Sequence, residues 1–438
     1  MDRSIAGLKV PGEKERIETR NDIVMKRLDT LLIPAMRKHG IDLWLVFSRE
    51  WNADPVHFEI QGDPHAGVRN AYLFFDRGGD KPEKVVIASH SLKKDPVIGK
   101  SYDEMIQYGY TADGIRPYIK KVVEARDPMK IAVNCSPTIT MADGLTWTLR
   151  KFLEDELGPK YAARMVTSEL LLRDWRESHV PEEYPVYKDL CKWTVAWEEE
   201  AFSKSVIKVG KTTADDIHWW MREKALELGC TLEFLPSISI QREGISVPSS
   251  EVIKPGDVLS VDAGLHWINF STDYKRKVYI LKPGETRPPA GIRKAFEDSL
   301  KVADILTSKW KPGALGYKVF EEAMEELRKI GYIDAPPPAT LTPTTKEGVP
   351  EVGIYCHSVG YNTHGIGARV AINTPFAWGD RVRWPLVVDD WYSVELHVVT
   401  PVPEWGGKTL RIPYEESVCL TDRGVEYIVP RQKEFLVV

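Results

Sequence analysis

The sequence predicts a two-domain protein, in which an N-terminal α/β domain precedes a larger C-terminal α+β domain. The chain has 438 residues, which is more than one average domain contains. Short apolar strands alternate with helical stretches in the first part of the chain, as in α/β domains. Farther along, long helical patterns come first and strand patterns come last. We therefore predict domains at 1–175 and 176–438.

The N-terminal prediction rests on apolar periodicity. Residues 1–20 are expected to form a polar arm. Apolar residues such as Ile23, Leu28 and Met36 recur at helical spacing and predict an amphipathic helix over Asn21–His39. Strands are predicted at Ile41–Phe47, Ala71–Phe75, Lys84–Ala88 and Lys130–Val133, and helices over 113–126 and 143–157.

The C-terminal prediction begins with helix start signals. Pro181 lies in the first turn of a helix expected to continue to about Ser205. Thr213 is a favourable N-cap for a second helix over Ala214–Leu228. Two more helices are predicted over 289–309 and 316–330, a strand region over Cys230–Ile240, and mostly strands over 351–438.

A hairpin predicted within residues 256–276 carries two aspartates. Its first strand begins at Val258 and delivers Asp262, and its second strand, Trp267–Thr272, delivers Asp273. Two carboxylates at close range repel unless a cation lies between them. Both aspartates are either ordinary turn residues or ligands of a divalent metal ion.

Three further stretches of the C-terminal domain carry candidate ligands. His364 precedes a glycine turn, where a histidine without any metal is also common. Glu395 lies between a valine and a leucine in a β-type run, where an unpaired carboxylate is costly to bury. Either Glu415 or Glu416 stands at the entry to another strand, and a solvated glutamate would explain that position equally well.

Taken in order, these residues resemble the "pita-bread" metallopeptidases, which include methionine aminopeptidase, aminopeptidase P, prolidase and, without metal, creatinase. The resemblance covers about residues 180–438. The preceding α/β domain is similar to the N-terminal domain of creatinase and prolidase. The resemblance implies metal ligands at Asp262, Asp273, His364, Glu395 and Glu415.

The resemblance also implies two divalent ions, which can be Mn, Co, Zn or Fe, with Mn slightly favoured. Asp273 and Glu415 would bridge the ions, Asp262 would bind one, and His364 and Glu395 would bind the other. The family mechanism uses a metal-bridging hydroxide as nucleophile, with Glu395 as ligand and candidate general base. Two divalent cations balance the charge of four carboxylates.

The sequence departs from the family pattern beside these ligands. The family has a second histidine seven residues after its ligand histidine, and Ala371 holds that position here. A histidine that usually precedes the first aspartate has no counterpart in residues 241–248. Lys275 stands where the family's Asp-x-Thr-Arg motif has a threonine, and that threonine would support the metal ligands.

His357 is the preferred substitute for the missing histidine, and we predict it to be catalytic together with Glu395. It lies seven residues before His364. Other side chains that could contact a substrate are His266, His397, Arg369 and Arg411.

Composition limits the partners. The net charge of −5 and the pI near 6.1 give no reason to expect nucleic acid or anionic membranes. No apolar run is long enough to span a bilayer. Five cysteines are scattered without C-x-x-C spacing, which suits a reducing cytosol. We expect a cytoplasmic homodimer whose partner is a small peptide or small-molecule substrate.

Three functions are compatible with these residues. The first is a dinuclear metal-dependent hydrolase of short peptides or peptide-like amides, similar to Xaa-Pro dipeptidases and aminopeptidases. The second is a hydrolase that cleaves a non-peptide C–N bond in a small metabolite. The third is a non-catalytic binding protein of the same fold.

Overall fold

The structure, a computed structural model, describes residues 3–62, 67–111, 113–335, 349–373 and 379–438. It divides into two compact units, one formed by residues 13–184 and the other by residues 1–12 with 185–438. The chain begins with a short hairpin of strands β1 (Ser4–Ile5) and β2 (Leu8–Lys9). This hairpin belongs to the second unit rather than to the N-terminal domain, because the Arg3 guanidinium packs against Gly229.

The unit of residues 13–184 contains helices and one β-sheet, in which some strand pairs are parallel and others antiparallel. Its helices are α1 (Glu13–Thr30), α2 (Leu32–Lys38), α3 (His57–Ile60), α4 (Ile98–Ser101), α5 (Arg116–Arg126), α6 (Trp147–Ala162) and α7 (Glu169–Arg176). Its strands are β3 (Leu43–Ser48), β4 (Asn70–Phe75), β5 (Glu83–Ala88), β6 (Glu104–Gln107), β7 (Ile131–Val133) and β8 (Met165–Thr167). They form a six-stranded sheet in the order β6-β5-β4-β3-β7-β8.

The four predicted strands of this unit are confirmed as β3, β4, β5 and β7. The prediction of a polar arm over residues 1–20 is wrong. Helix α1 already begins at Glu13, with Glu13 and Glu15 in its first turn, where acidic side chains stabilise the positive end of the helix dipole. The edge strands β6 and β8 were not predicted, because their partly exposed residues form no apolar run.

Asp54 is a buried carboxyl in this unit. Its Oδ1 accepts hydrogen bonds from the Val56 amide at 3.1 Å and the Asn134 side chain at 2.9 Å. Burial raises the pKa of Asp54 to about 7. The folded state therefore holds this proton more tightly than the unfolded chain, in which the pKa is about 3.9. The contribution of Asp54 to stability is lost as the pH rises from about 4 to about 7.

We predict that Asp54→Asn removes this pH dependence. Between pH 5 and pH 8, the wild type should lose about 3 kcal/mol of unfolding free energy that the variant keeps. Urea unfolding at both pH values measures the difference. Asp80→Asn, on the surface of the same unit, is the control and should follow the wild type. Parallel pH profiles for Asp54→Asn and the wild type would contradict the prediction.

The second unit is built around an 11-stranded sheet in the described residues. Its helices are α8 (Glu183–Ala201), α9 (Ala214–Leu228), α10 (Ala290–Thr307) and α11 (Gly316–Lys329). Its remaining strands are β9 (Ser237–Arg242), β10 (Ile245–Val247), β11 (Val258–Ala263), β12 (His266–Trp267), β13 (Phe270–Ser271), β14 (Tyr274–Tyr279), β15 (Ile333–Asp334), β16 (Glu351–Ser358), β17 (Arg369–Ala371), β18 (Trp391–Pro401), β19 (Thr409–Thr421), β20 (Gly424–Tyr427) and β21 (Leu436–Val437). The main sheet has the order β10-β9-β11-β14-β19-β18-β16-β15.

Helix α9 confirms the predicted range Ala214–Leu228. The Thr213 hydroxyl accepts a hydrogen bond from the Asp216 amide at 3.1 Å, and Asp216 accepts one from the Thr213 amide at 2.9 Å. This reciprocal capping box satisfies two amides at the start of the helix. Gly229, at a φ of 75°, ends the helix in the left-handed conformation.

The prediction of Trp267–Thr272 as the second strand of the central hairpin is wrong. Residues 267–272 do not pair with β11, because the chain turns at Ile268, with a φ of 63°, and β12 pairs with β13. The partner of β11 is β14, which begins after Asp273. Asp273 therefore precedes its strand, and Lys275 lies directly opposite Asp262.

Helix α10 packs on one face of β18, and α11 packs on β17 in the same core cluster. Val394 and Leu396 belong to the core cluster that includes residues of both helices. Because side chains alternate along a strand, Glu395 projects from the opposite face. Among the described residues, no helix combines the length and apolar composition needed to cross a bilayer.

Candidate metal centre

Four adjacent strands place charged side chains in one row. Asp262 on β11 is opposite Lys275 on β14, Lys275 is opposite Glu415 on β19, and Glu415 is opposite Glu395 on β18. Directly opposite residues of antiparallel strands project from the same face. Three carboxylates and one ammonium group therefore share one face of the sheet.

Lys275 is the cation of this row. Its Nζ lies 2.8 Å from Glu395 Oε1 and 3.1 Å from Asp262 Oδ2, and it also donates a hydrogen bond to Glu415 Oε2. Burial alone would lower the pKa of Lys275, but the surrounding carboxylates, Glu395 first, raise it well above its ordinary value. Lys275 is therefore held as an ammonium ion among three carboxylates.

His357, on β16, presents a bare ring nitrogen to the same cluster. The side chain is fully buried, and its Nε2 lies 3.4 Å from Glu415 Oε1 and 3.8 Å from Asp273 Oδ2. Its Nδ1 lies 2.9 Å from the Ser358 carbonyl oxygen, which can only accept a hydrogen bond. Nδ1 therefore carries a proton, and Nε2 is directed into the cluster, which is the orientation that metal-binding histidines have.

Asp273 provides a second atom without a partner. Its side chain is almost completely buried, and within the described chain neither Asp273 Oδ1 nor His357 Nε2 has a hydrogen-bond partner. Burial, followed by repulsion from Glu415 and Asp262, raises the pKa of Asp273 well above its ordinary value. A cation would remove that repulsion and satisfy both atoms.

His364 lies at the rim of the cluster. Its side chain is 65% exposed, and its Nε2 lies 3.9 Å from Asp273 Oδ2. The His364 and His357 rings are edge to face, with centroids 4.7 Å apart. Glu233 holds the preceding loop, because it accepts hydrogen bonds from the Asn362 side chain at 2.9 Å and the Thr363 amide at 2.6 Å.

The donor set fits a divalent metal ion. Ligand atoms within 4.8 Å of one another occur in the described residues as three groups, which are Asp273–His357–His364, His357–Glu395–Glu415 and Asp262–Asp273–Glu415. Carboxylate oxygens and imidazole nitrogens suit Mn, Co, Zn and Fe. The structure thus brings together all five predicted ligands and also His357.

Glu415, and not Glu416, faces this cluster. Glu416 projects from the other face of β19, where both of its oxygens pair with the Arg276 guanidinium at 3.0 and 3.2 Å. Arg276 and Glu416 are both fully buried. Of the two glutamates that the sequence left as alternatives, the structure therefore places Glu415 with the other candidate ligands.

The other candidate histidines, His266 and His397, lie outside the three ligand groups. His266 Nδ1 lies 2.8 Å from Ser271 Oγ and belongs to none of the three groups. His397 stacks on Tyr355 and lies 3.2 Å from an Arg411 nitrogen. The direct contacts of Lys275 with the carboxylates were not predicted from the sequence. Its position two residues after a candidate ligand was the available signal.

The fold and this cluster define a metallohydrolase-like protein. Residues 187–422 match metallopeptidase family M24, and the chain belongs to that family. It is therefore a metallopeptidase-like hydrolase with carboxylate and histidine groups that can bind a divalent metal.

Solved structures share the fold over nearly the whole chain. An X-Pro aminopeptidase from Thermotoga maritima MSB8 is 18% identical, with a TM-score of 0.68, and the match covers 92% of this chain and 100% of that one. An Xaa-Pro dipeptidase from Bacillus anthracis is 16% identical, with a TM-score of 0.65 and coverages of 95% and 100%. Aminopeptidase P from E. coli is 14% identical, with a TM-score of 0.60 and coverages of 97% and 97%. No curated protein sequence matches the chain.

We predict that Mn²⁺ stabilises the second unit through Asp273. At a free metal concentration 100 times the Kd, binding adds about 2.7 kcal/mol, which raises Tm by roughly 5 °C or more. Asp273→Asn should lose most of this increase, and without metal it should melt above the wild type because one repelling charge is gone. Scanning calorimetry with and without Mn²⁺ measures both effects. Asp389→Asn, on the surface, is the control. An Asp273→Asn protein that responds to Mn²⁺ like the wild type would contradict the prediction.

Proposed function

We propose that the chain is a divalent-metal-dependent hydrolase of short peptides or peptide-like amides, with Xaa-Pro bonds as the first substrates to test. The observation that carries the proposal is the pair of buried, unpartnered ligand atoms, Asp273 Oδ1 and His357 Nε2, inside a carboxylate cluster. Membership of family M24 supports it, as do the Xaa-Pro peptidases among the similar structures.

The residues of the cluster take separate roles. A bound divalent ion supplies Lewis acidity, which polarises an amide carbonyl and acidifies water. Asp273 and His357 would hold the ion, with Glu415 beside them. Glu395 is the general base, because its side chain is 24% exposed whereas that of Glu415 is fully buried. It accepts a proton from the attacking water and returns one to the leaving nitrogen.

The two histidines exchange the roles that the resemblance implied. The family separation of seven residues is met by His357 and His364 themselves. We infer that His357 is the metal ligand, because it is buried with Nε2 directed into the cluster. His364, at the exposed rim, then donates the substrate hydrogen bond of the second histidine. In this assignment Ala371, which is buried in β17 opposite Tyr355, replaces no functional group.

Gly360 makes this arrangement of histidines possible. It lies between them at a φ of 130°, a conformation that side chains other than glycine rarely adopt. A Cβ atom at this position would also lie 2.9 Å from the Trp391 ring. The chain can therefore leave β16 after His357 and bring His364 back to the same cluster.

Two arginines suit a substrate with a free carboxylate. Arg369 and Arg411 both act electrostatically on Glu395. Burial, and then Arg381, lowers the pKa of Arg369 to about 10, and burial also lowers the pKa of Arg411. A peptide carboxylate can accept bidentate hydrogen bonds from a guanidinium group. This favours short peptides with a free C-terminus.

The test is turnover of a dipeptide and tripeptide library, with Xaa-Pro members, in the presence of Mn, Co or Zn. Glu395→Gln should lower kcat at least about 100-fold, since it removes the general base. Glu426→Gln, on the exposed part of β20 in the same sheet, is the matched control and should keep wild-type turnover. No peptide hydrolysis above the Glu395→Gln background with any metal would overturn the proposal.

The same assay separates the other two functions. Hydrolysis of small amides or guanidino compounds without peptide hydrolysis would indicate a non-peptide C–N substrate. A protein that binds metal and hydrolyses neither class would be a binding protein of the same fold. The preference for Mn, the homodimer and the cytoplasmic location stay predictions.

The histidine assignment gives a prediction of its own. His357→Ala should lose bound metal together with activity. His364→Ala should keep its metal and lose about 100-fold in kcat, as for other single preorganised hydrogen-bond donors. Elemental analysis of each purified variant, combined with kcat measurements, distinguishes the two effects. Loss of metal from His364→Ala but not from His357→Ala would restore the original assignment of His364 as the ligand.

A further inference from the structure

We propose that the Lys275 ammonium is a built-in cation that occupies one of the two positions expected for metal, so that each chain binds one divalent ion. The inference deepens the proposed function and rests on its metal site. It concerns the number of ions in the site, which family membership alone does not define.

The contacts of Lys275 carry the proposal. Its Nζ is bound to Asp262, Glu395 and Glu415. A second ion of the two-ion arrangement would depend on Asp262 and on the bridging Glu415. Both carboxylates already hold the ammonium, and a metal ion in contact with the same oxygens would be repelled by its positive charge.

The backbone keeps the ammonium in this position. Lys275 lies inside β14, opposite Asp262 on one side and Glu415 on the other. Its side chain is only 9% exposed. To make room for a second ion, the side chain would have to leave its three carboxylates. An unpaired buried ammonium is more costly than one that stays with its partners.

The space for the remaining ion lies away from this contact. Asp273 and His357, which would hold the ion with His364 at the rim, are not among the three carboxylates that bind Lys275. The two buried atoms without partners, Asp273 Oδ1 and His357 Nε2, belong to this group. In one half of the cluster, Lys275 is thus paired with its three carboxylates without any metal. In the other half, Asp273 and His357 have atoms without partners that a cation would satisfy.

The charge of the cluster is consistent with a single ion. The carboxylates Asp262, Asp273, Glu395 and Glu415 carry −4, and Lys275 reduces this to −3. One divalent ion leaves −1, whereas two would leave +1. The three N–H donors of an ammonium group match the three carboxylates around Lys275, so none is directed at a substrate. Lys275 is therefore a positioning residue and not a catalytic one.

The experiment counts metal ions in the full-length protein. The chain is loaded with Mn²⁺ or Co²⁺, and the bound ions are counted by native mass spectrometry and by elemental analysis after desalting. The wild type should bind one ion per chain. Lys275→Thr, which restores the residue of the family motif, should bind two. Lys275→Arg, which keeps the positive charge, should bind one.

Lys84→Met is the matched control, because Lys84 is also a buried strand lysine, paired with Asp29 at 2.5 Å in the other unit. It should bind one ion like the wild type. Electron paramagnetic resonance of Mn²⁺ gives a second readout. The wild type should show an isolated Mn²⁺ spectrum, and Lys275→Thr should show the spectrum of a spin-coupled pair.

Two ions or none in the wild type would overturn the proposal, and so would a folded Lys275→Thr protein that still binds one. The count in the wild type is decisive even if a variant fails to fold. All counts are made without substrate, which keeps this result separate from the proposed function. One bound ion without peptide turnover would refute only the function, and peptide turnover with two bound ions would refute only this inference.

Discussion

Repulsion between buried carboxylates is the constraint on which the second unit depends. Glu395 and Glu415 are directly opposite each other on adjacent strands, an arrangement that destabilises a sheet when both are charged. Two unit charges 4 Å apart near a protein surface repel by about 4 kcal/mol. Lys275 offsets part of this repulsion, and the Ser393 hydroxyl donates a hydrogen bond to Glu415 at 2.6 Å. A divalent ion among the remaining carboxylate and imidazole groups would offset the rest.

Neighbouring residues on β14 and on β19 project their charges from opposite faces of the sheet. Lys275 and Glu415 project into the candidate metal centre, while Arg276 and Glu416, the next residue on each strand, pair on the other face. Each strand therefore contributes one charge to the cluster and one to a buried ion pair behind it. A shift of register by one residue would exchange both faces and leave charges unpaired on each. The register of β14 against β19 is thus determined by electrostatics as well as by packing.

Secondary-structure elements with local sequence signals were predicted correctly. Contacts that depend on the pairing of distant strands were missed. Helix α9 was predicted to the residue, because its signals are local: Thr213 and Gly229 directly flank the helix. The five candidate ligands were selected because a family pattern preserves their order, and the structure places them in one cluster, although Asp273 was attached to the wrong strand. The contact of Lys275 with Glu415 could not be predicted, since it joins residues 140 positions apart. Spacing alone also does not show that the His357 ring is buried whereas the His364 side chain is exposed at the rim.

The row of charges across β11, β14, β19 and β18 also has a consequence for how the protein folds. Lys275 reaches partners 120 and 140 positions later in the chain, so the row is complete only after nearly the entire second unit has been synthesised. Contacts of such large sequence separation form late and slowly. A nascent or truncated chain that ends before β19 lacks Glu415 and therefore cannot complete the row. Any activity of the cluster therefore requires the whole second unit to be folded. Proteolytic fragments of this unit should have no partial activity.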